Sequence, residues 1–145
     1  MQSNIGCKYM IKFLSFLLLL FSPLFASDVI NQRQDYMQDF SKLMRAGNQS
    51  IKNGETDGLV EIYEEIEFIM KTYPTLFPDD SFDGKTKASN DIIENRETFN
   101  QIANDASQWA ALAKIAAENN DLEAIQQNQQ NLYGSCKSCH SRFKN

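Results

Sequence analysis

The apolar positions of this chain recur at steps of three, four and seven and nowhere alternate as a strand would, so the pattern predicts an all-α protein. In the first periodic stretch, from about Asp28 to Ser50, the residues Val29, Arg33, Met37, Phe40, Met44 and Ile51 share one broad helix face, with Ile30, Tyr36 and Leu43 beside them. A turn at Asn53, Gly54 and Gly58 precedes the second, where Leu59, Ile62, Ile66, Met70 and Tyr73 make the stripe and Pro74 should end it. The segment from Pro74 to Lys87 is the one long irregular connection, and its Phe77 and Phe82 are expected to tuck against the core. From about Ala88 to Glu118 a third stripe of Ile92, Phe99, Ile102, Ala106, Trp109, Ala113 and Ala116 predicts the longest helix, with small residues that permit close packing. Asn119 and Asn120 should stop it. Asp121 is then a good N-cap for a last helix whose inward face carries Leu122, Ile125, Gln129, Leu132, Cys136, Cys139 and Phe143. Four such helices form an antiparallel four-helix bundle, and a bundle core can host a cofactor between facing helices.

The first residues do not belong to that pattern. Lys8 and Lys12 precede a dense apolar run from Phe13 to Leu20, followed by Pro23 and the small residues Ala26 and Ser27. Charge, then apolar run, then small residues is the layout of a secretory signal, and the run is short for a bilayer span. The expected division is a signal peptide at residues 1–26, cut after Ala26 or Ser27, and one domain at 27–145. Cleavage would remove Cys7 with the leader and take the formal charge from −5 to −7, because two lysines and no acid leave with it. An acidic domain without a basic stretch is poorly suited to nucleic acid or, after signal removal, to a membrane surface, and its net charge favours basic protein partners.

The chemistry concentrates at the other end. After cleavage the remaining cysteines are Cys136 and Cys139, and the single histidine of the chain, His140, follows directly. Cys136, Lys137, Ser138, Cys139 and His140 make C-x-x-C-H, the attachment signature of a c-type haem. On a helix, residues three apart share a face, so both thiols can add to the vinyl groups on one porphyrin edge. The adjacent imidazole is then the proximal iron ligand. A thiol redox pair would more naturally open a helix after a strand. Zinc would need four ligands where this segment offers three.

With these residues the chain resembles the class II cytochromes c, the family of cytochrome c' and its low-spin relatives. The resemblance rests on Ser135 to His140 followed by Phe143 and Lys144, on Arg33 and Gln34 with Met37 four residues on from the arginine, and on the turn Asn120, Asp121, Leu122. It implies an exported, periplasmic four-helix bundle with one covalent haem c per chain. Two positions depart from the family: Ile93 stands where tryptophan is frequent, and Lys144 stands where an arginine usually follows the motif. The resemblance also places Met37 on the distal side of the haem, as a sixth ligand or as packing.

Arg33 falls on an apolar stripe, where a charge needs a partner, and a haem propionate or a solvent-reaching position would satisfy it. No constellation of catalytic acid, base and nucleophile is present, so the expected role is not enzymatic. The reading is a single-electron carrier that works with a redox partner protein. Its rivals are a five-coordinate binder of nitric oxide or carbon monoxide and, more remotely, a thiol oxidoreductase. Monomer and homodimer are both compatible with the sequence.

Overall fold

A computed structural model describes residues 23–145. Helix α1 spans Pro23–Asn53, α2 spans Leu59–Thr72, a one-turn α3 spans Asp91–Glu94, α4 spans Arg96–Glu118 and α5 spans Leu122–Phe143. Among the described residues there is no strand, and the expected all-α bundle is the architecture found. Residues 1–22 of the expected leader lie outside the described residues. Because α1 begins at Pro23, the expected cut after Ala26 or Ser27 falls within its first turns.

The helix ends follow from local chemistry. Gly58, at φ 76°, adopts the left-handed conformation ahead of α2 that glycine enters without a Cβ penalty. Pro74 does not stop the chain outright: α2 passes into a 3-10 turn, Tyr73–Leu76, that accepts proline in its first turn. At the end of α4, Asn120 takes φ 55°. Its amide donates to Ala117 at 3.0 Å and that of Asp121 donates to Ala116 at 2.9 Å, the paired bonds of a Schellman stop. Asp121 then caps α5, its carboxylate accepting from the Ala124 amide at 3.0 Å.

One expectation is corrected. The stretch from Ala88 to Glu118 is not a continuous helix, because Asn95, at φ −117° and ψ 35°, separates the turn of α3 from α4. Ile92, before the break, is still buried and seats α3 on the core, while Ile93 points outward.

The helices alternate in direction. Thr56, just ahead of α2, donates to Asn120 at the end of α4 at 2.6 Å, so these two helices run antiparallel. Met44 of α1 meets Gln129 of α5, and Arg33 meets the far end of α2 at Leu76. Between α2, α4 and α5 the core is made of Leu59, Tyr63, Ile66, Ile69, Ala106, Ala110, Ala113, Ala117, Ile125 and Leu132. It contains one buried polar relay. The Tyr63 hydroxyl donates to Gln129 Oε1 at 2.9 Å, and Gln129 Nε2 donates to the Met44 carbonyl at 3.0 Å, which ties three helices together with every polar atom paired.

A second, aromatic cluster of Leu76, Phe77, Ile92, Phe99 and Phe143 closes the end where α2 crosses to α4. Phe77 is buried there and Phe82 packs half-buried against it, as the sequence led us to expect. The chain's tail is sewn to the crossover: the Ser89 amide donates to Phe143 at 2.9 Å and the Asn145 amide to Lys87 at 2.8 Å.

Candidate functional site

Between α1 and the second half of α5, under the crossover, lies a cavity of about 720 Å³ that is partly open to solvent. Its size is that of a cofactor site. Cys136, Cys139 and His140 line it from α5, and Arg33 and Met37 line it from α1, so all five sequence-predicted residues are brought to one place. Met44, Met70, Tyr73, Phe99 and Ile102 complete much of its apolar wall.

The spacing of three on α5 sets both thiols toward the cavity, half-buried and not joined to each other. Burial pushes the Cys136 thiol up to about 11, and burial together with the neighbouring Cys136 pushes Cys139 to about 11 as well. The shift is opposite in direction to the depressed pKa of a nucleophilic redox cysteine. His140 is shifted down, first by burial and then by the charge of Lys144, which favours the neutral imidazole that can ligate a metal.

Arg33 is almost wholly buried, at 4% exposure, and it has found protein partners. Its Nε donates to the Leu76 carbonyl at 2.6 Å and its Nη1 to the Ser81 carbonyl at 2.9 Å, while Nη2 donates to the Ser81 hydroxyl. The guanidinium also lies 4.0 Å from the centre of the Phe77 ring. The partner demanded by a buried charge is therefore the crossover itself, which Arg33 fastens to α1. Gln34 adds a second tie, donating to the Lys85 carbonyl at 2.9 Å. Burial lowers the Arg33 pKa, the nearby Tyr73 partly opposing it, yet arginine has ample margin to stay charged at neutral pH.

Three features of the site were not read from the sequence. Tyr73, read as one more apolar stripe position, is a cavity-wall phenol whose pKa burial raises, with Cys139 adding to the rise. Ser81 is fully buried and serves as the Arg33 acceptor, in a loop where no periodicity marks it. Lys85 and Lys87 reach the rim through the fold of the crossover. Only Tyr73 carried a signal, an aromatic next to a proline at the end of a helix.

A four-helix bundle whose last helix brings two thiols and a histidine, in C-x-x-C-H spacing, to a cofactor-sized apolar cavity defines a c-type haem protein. The family profile described as cytochrome C' matches residues 28–144, and the chain belongs to that family. A cytochrome c' of Rhodospirillum rubrum is 42% identical over 81 residues, 54% of this chain and 54% of that protein, so the chain spans about half the length of this relative in the match. Among solved structures, cytochrome c' from Thermochromatium tepidum superposes with a TM-score of 0.77 at 18% identity, over 82% of this chain and 95% of that one. Cytochrome c prime from Shewanella frigidimarina gives 0.76 at 22% identity, over 83% and 96%. A mutant of Rhodopseudomonas palustris cytochrome c' gives 0.72 at 26% identity, over 81% and 97%. Proteins of the family bind covalent haem c, and the donor set and the cavity of this chain fit that group.

Proposed function

We propose that this chain is a periplasmic single-electron carrier, exported on a leader at residues 1–26, in which Cys136 and Cys139 hold haem c through thioethers, His140 is the proximal ligand and Met37 the sixth. Bound haem would supply the iron(II)/iron(III) couple. The chain's own residues bind, orient and enclose it. The two thiols fix one porphyrin edge to α5, the aromatic cluster around Phe77 and Phe99 keeps water from the crossover end, and Arg33 retains N–H donors that can accept a propionate as partner. The observation that carries the reading is that Met37 lines the same cavity as the motif, from the facing helix. An unbranched thioether there can reach a metal, and thioether ligation raises a haem's reduction potential.

A specific contact favours a second reading. Met37 is half-buried and packs against the main core cluster, as a side chain that merely covers the distal face would, which leaves the sixth position open to nitric oxide or carbon monoxide. The ferric and ferrous spectra of the haem-loaded protein decide between them. A low-spin ferric spectrum that turns high-spin in Met37→Leu, with carbon monoxide then binding readily, is the expected result. A parent protein that is already high-spin and takes up carbon monoxide replaces the carrier with the gas binder.

A further inference from the structure

The charge around the cavity does not follow the charge of the protein. The chain is acidic overall, with nineteen carboxylates against fourteen cations, yet among the described residues no aspartate or glutamate lines the cavity. Lys85, Lys87 and Lys144 line its rim as exposed side chains, and Arg33 lies buried behind them. From Ala124 to Asn145 the chain has Lys137, Arg142 and Lys144 and no acid, whereas Lys85 and Lys87 stand between the exposed Asp83 and Asp91, both outside the cavity lining. The tail-to-crossover bonds at Lys87 and Ser89 set the tail and the two crossover lysines side by side at the mouth. Arg142 is counted apart, because it shares a neighbouring groove with Glu97.

Surface fields fade over about 8 Å at physiological ionic strength, so a partner approaching the mouth meets the rim before it meets the net charge. Two propionates of bound haem would offset part of the cationic excess at the mouth, with three rim lysines facing outward beside the buried Arg33. We propose that the cavity mouth is the docking face for an acidic electron-transfer protein, which inverts the basic partner suggested by net charge. The inference rests on the carrier reading. Complementary charge of this kind acts mainly by steering encounter, and so it shows in the rate of association and in its dependence on salt.

The test is made on haem-loaded full-length product with two small reductants of opposite charge, the dianionic iron(II)–EDTA complex and the dication hexaammineruthenium(II). Stopped-flow reduction by iron(II)–EDTA should slow, and that by hexaammineruthenium(II) should quicken, as ionic strength rises from about 0.01 M to about 0.15 M. The double substitution Lys85→Gln, Lys87→Gln should lower the low-salt rate with iron(II)–EDTA by roughly tenfold, the low end of steering effects, without altering the haem spectrum. Lys42→Gln, at an exposed position on α1 outside the cavity lining, should leave that rate unchanged. Polyglutamate should compete with iron(II)–EDTA and polylysine should not. A dianion rate that climbs with salt, or inhibition by polylysine instead of polyglutamate, would mean that net charge governs the mouth and would overturn the proposal. The spin state read on the same preparation separates the two failures: high-spin protein that binds carbon monoxide removes the carrier reading and this docking face with it, whereas low-spin protein with the wrong salt dependence removes the docking face alone.

Discussion

The two seams of the bundle are built on different residues. Where α2, α4 and the first half of α5 meet, the contact positions are alanines and branched aliphatics, Ala110, Ala113, Ile66, Ile69, Ile125 and Leu132, and all of them are fully buried. Where α1 faces the second half of α5, the positions are Arg33, Met37, Met44, Cys136 and Cys139, and a cavity lies between them. Small residues let helix axes approach, and long ones hold them apart. The difference teaches that the stability of this fold and its chemistry sit on separate seams, so that the first can be tight while the second stays open to a cofactor.

The comparison breaks most visibly under one deletion made in both places. Ile66→Ala, at a fully buried position of the closed seam, should cost about 4 kcal/mol in urea unfolding, transfer and cavity contributions together. Ile102→Ala, half-buried on the cavity wall, should cost no more than about 2 kcal/mol. Equal losses would show that the two seams are not distinct. Next in size is Arg33→Met, which keeps the length of the side chain and strands the Leu76 and Ser81 carbonyls; it should cost about 2 to 3 kcal/mol. Its signature is faster proteolysis within residues 76–85, with α2 and α4 unaffected.

The smallest effect is a pH dependence at the outer edge of the closed seam. Glu67 bonds Lys71 and lies 3.4 Å from Lys114 of α4, and the Lys71 bond first, then the two cations, hold its pKa below the ordinary carboxylate value. The folded protein thus gives this carboxylate a proton less readily than the unfolded chain does. Its contribution is present above the ordinary carboxylate range, near pH 4.3, and is lost as pH falls through the lowered value. Glu67→Gln should flatten the dependence of the thermal midpoint on pH in that window alone. An unchanged slope would show that the Lys71 and Lys114 contacts do not act on stability.

What could be read from the sequence was what local chemistry decides. The motif, the Asp121 cap, the stop at Asn119 and Asn120 and the alanine stripe each depend on neighbours within a turn or two, and each stands where it was expected. The break at Asn95 was missed because apolar periodicity continues through it: Ile92 and Phe99 are both buried, and only the backbone between them departs from the helix. The Arg33 fastening was missed for another reason. The sequence shows that a charge on an apolar stripe needs a partner, but Leu76 and Ser81 lie more than forty residues away, and the three accepting atoms are two backbone carbonyls and a hydroxyl with no pattern of their own. The same holds for Gln129, legible as an inward position but not as the link between Tyr63 and Met44.

The ties that close the cavity end also set an order of events in folding. Arg33 reaches Ser81, Gln34 reaches Lys85 and Ser89 reaches Phe143, so each bond joins stretches separated by 48, 51 or 54 residues. Loop-closure entropy opposes such bonds until nearer contacts have formed. Helices α4 and α5, joined by a turn of three residues, can pair early, and the crossover and α1 then settle over them. Arg33→Met should accordingly speed unfolding and leave refolding nearly unchanged, whereas Ala110→Gly, between α4 and its neighbours, should slow refolding. The seam that carries Cys136, Cys139 and His140 is thus the last to close, which leaves the two thiols reachable while the rest of the bundle is already in place.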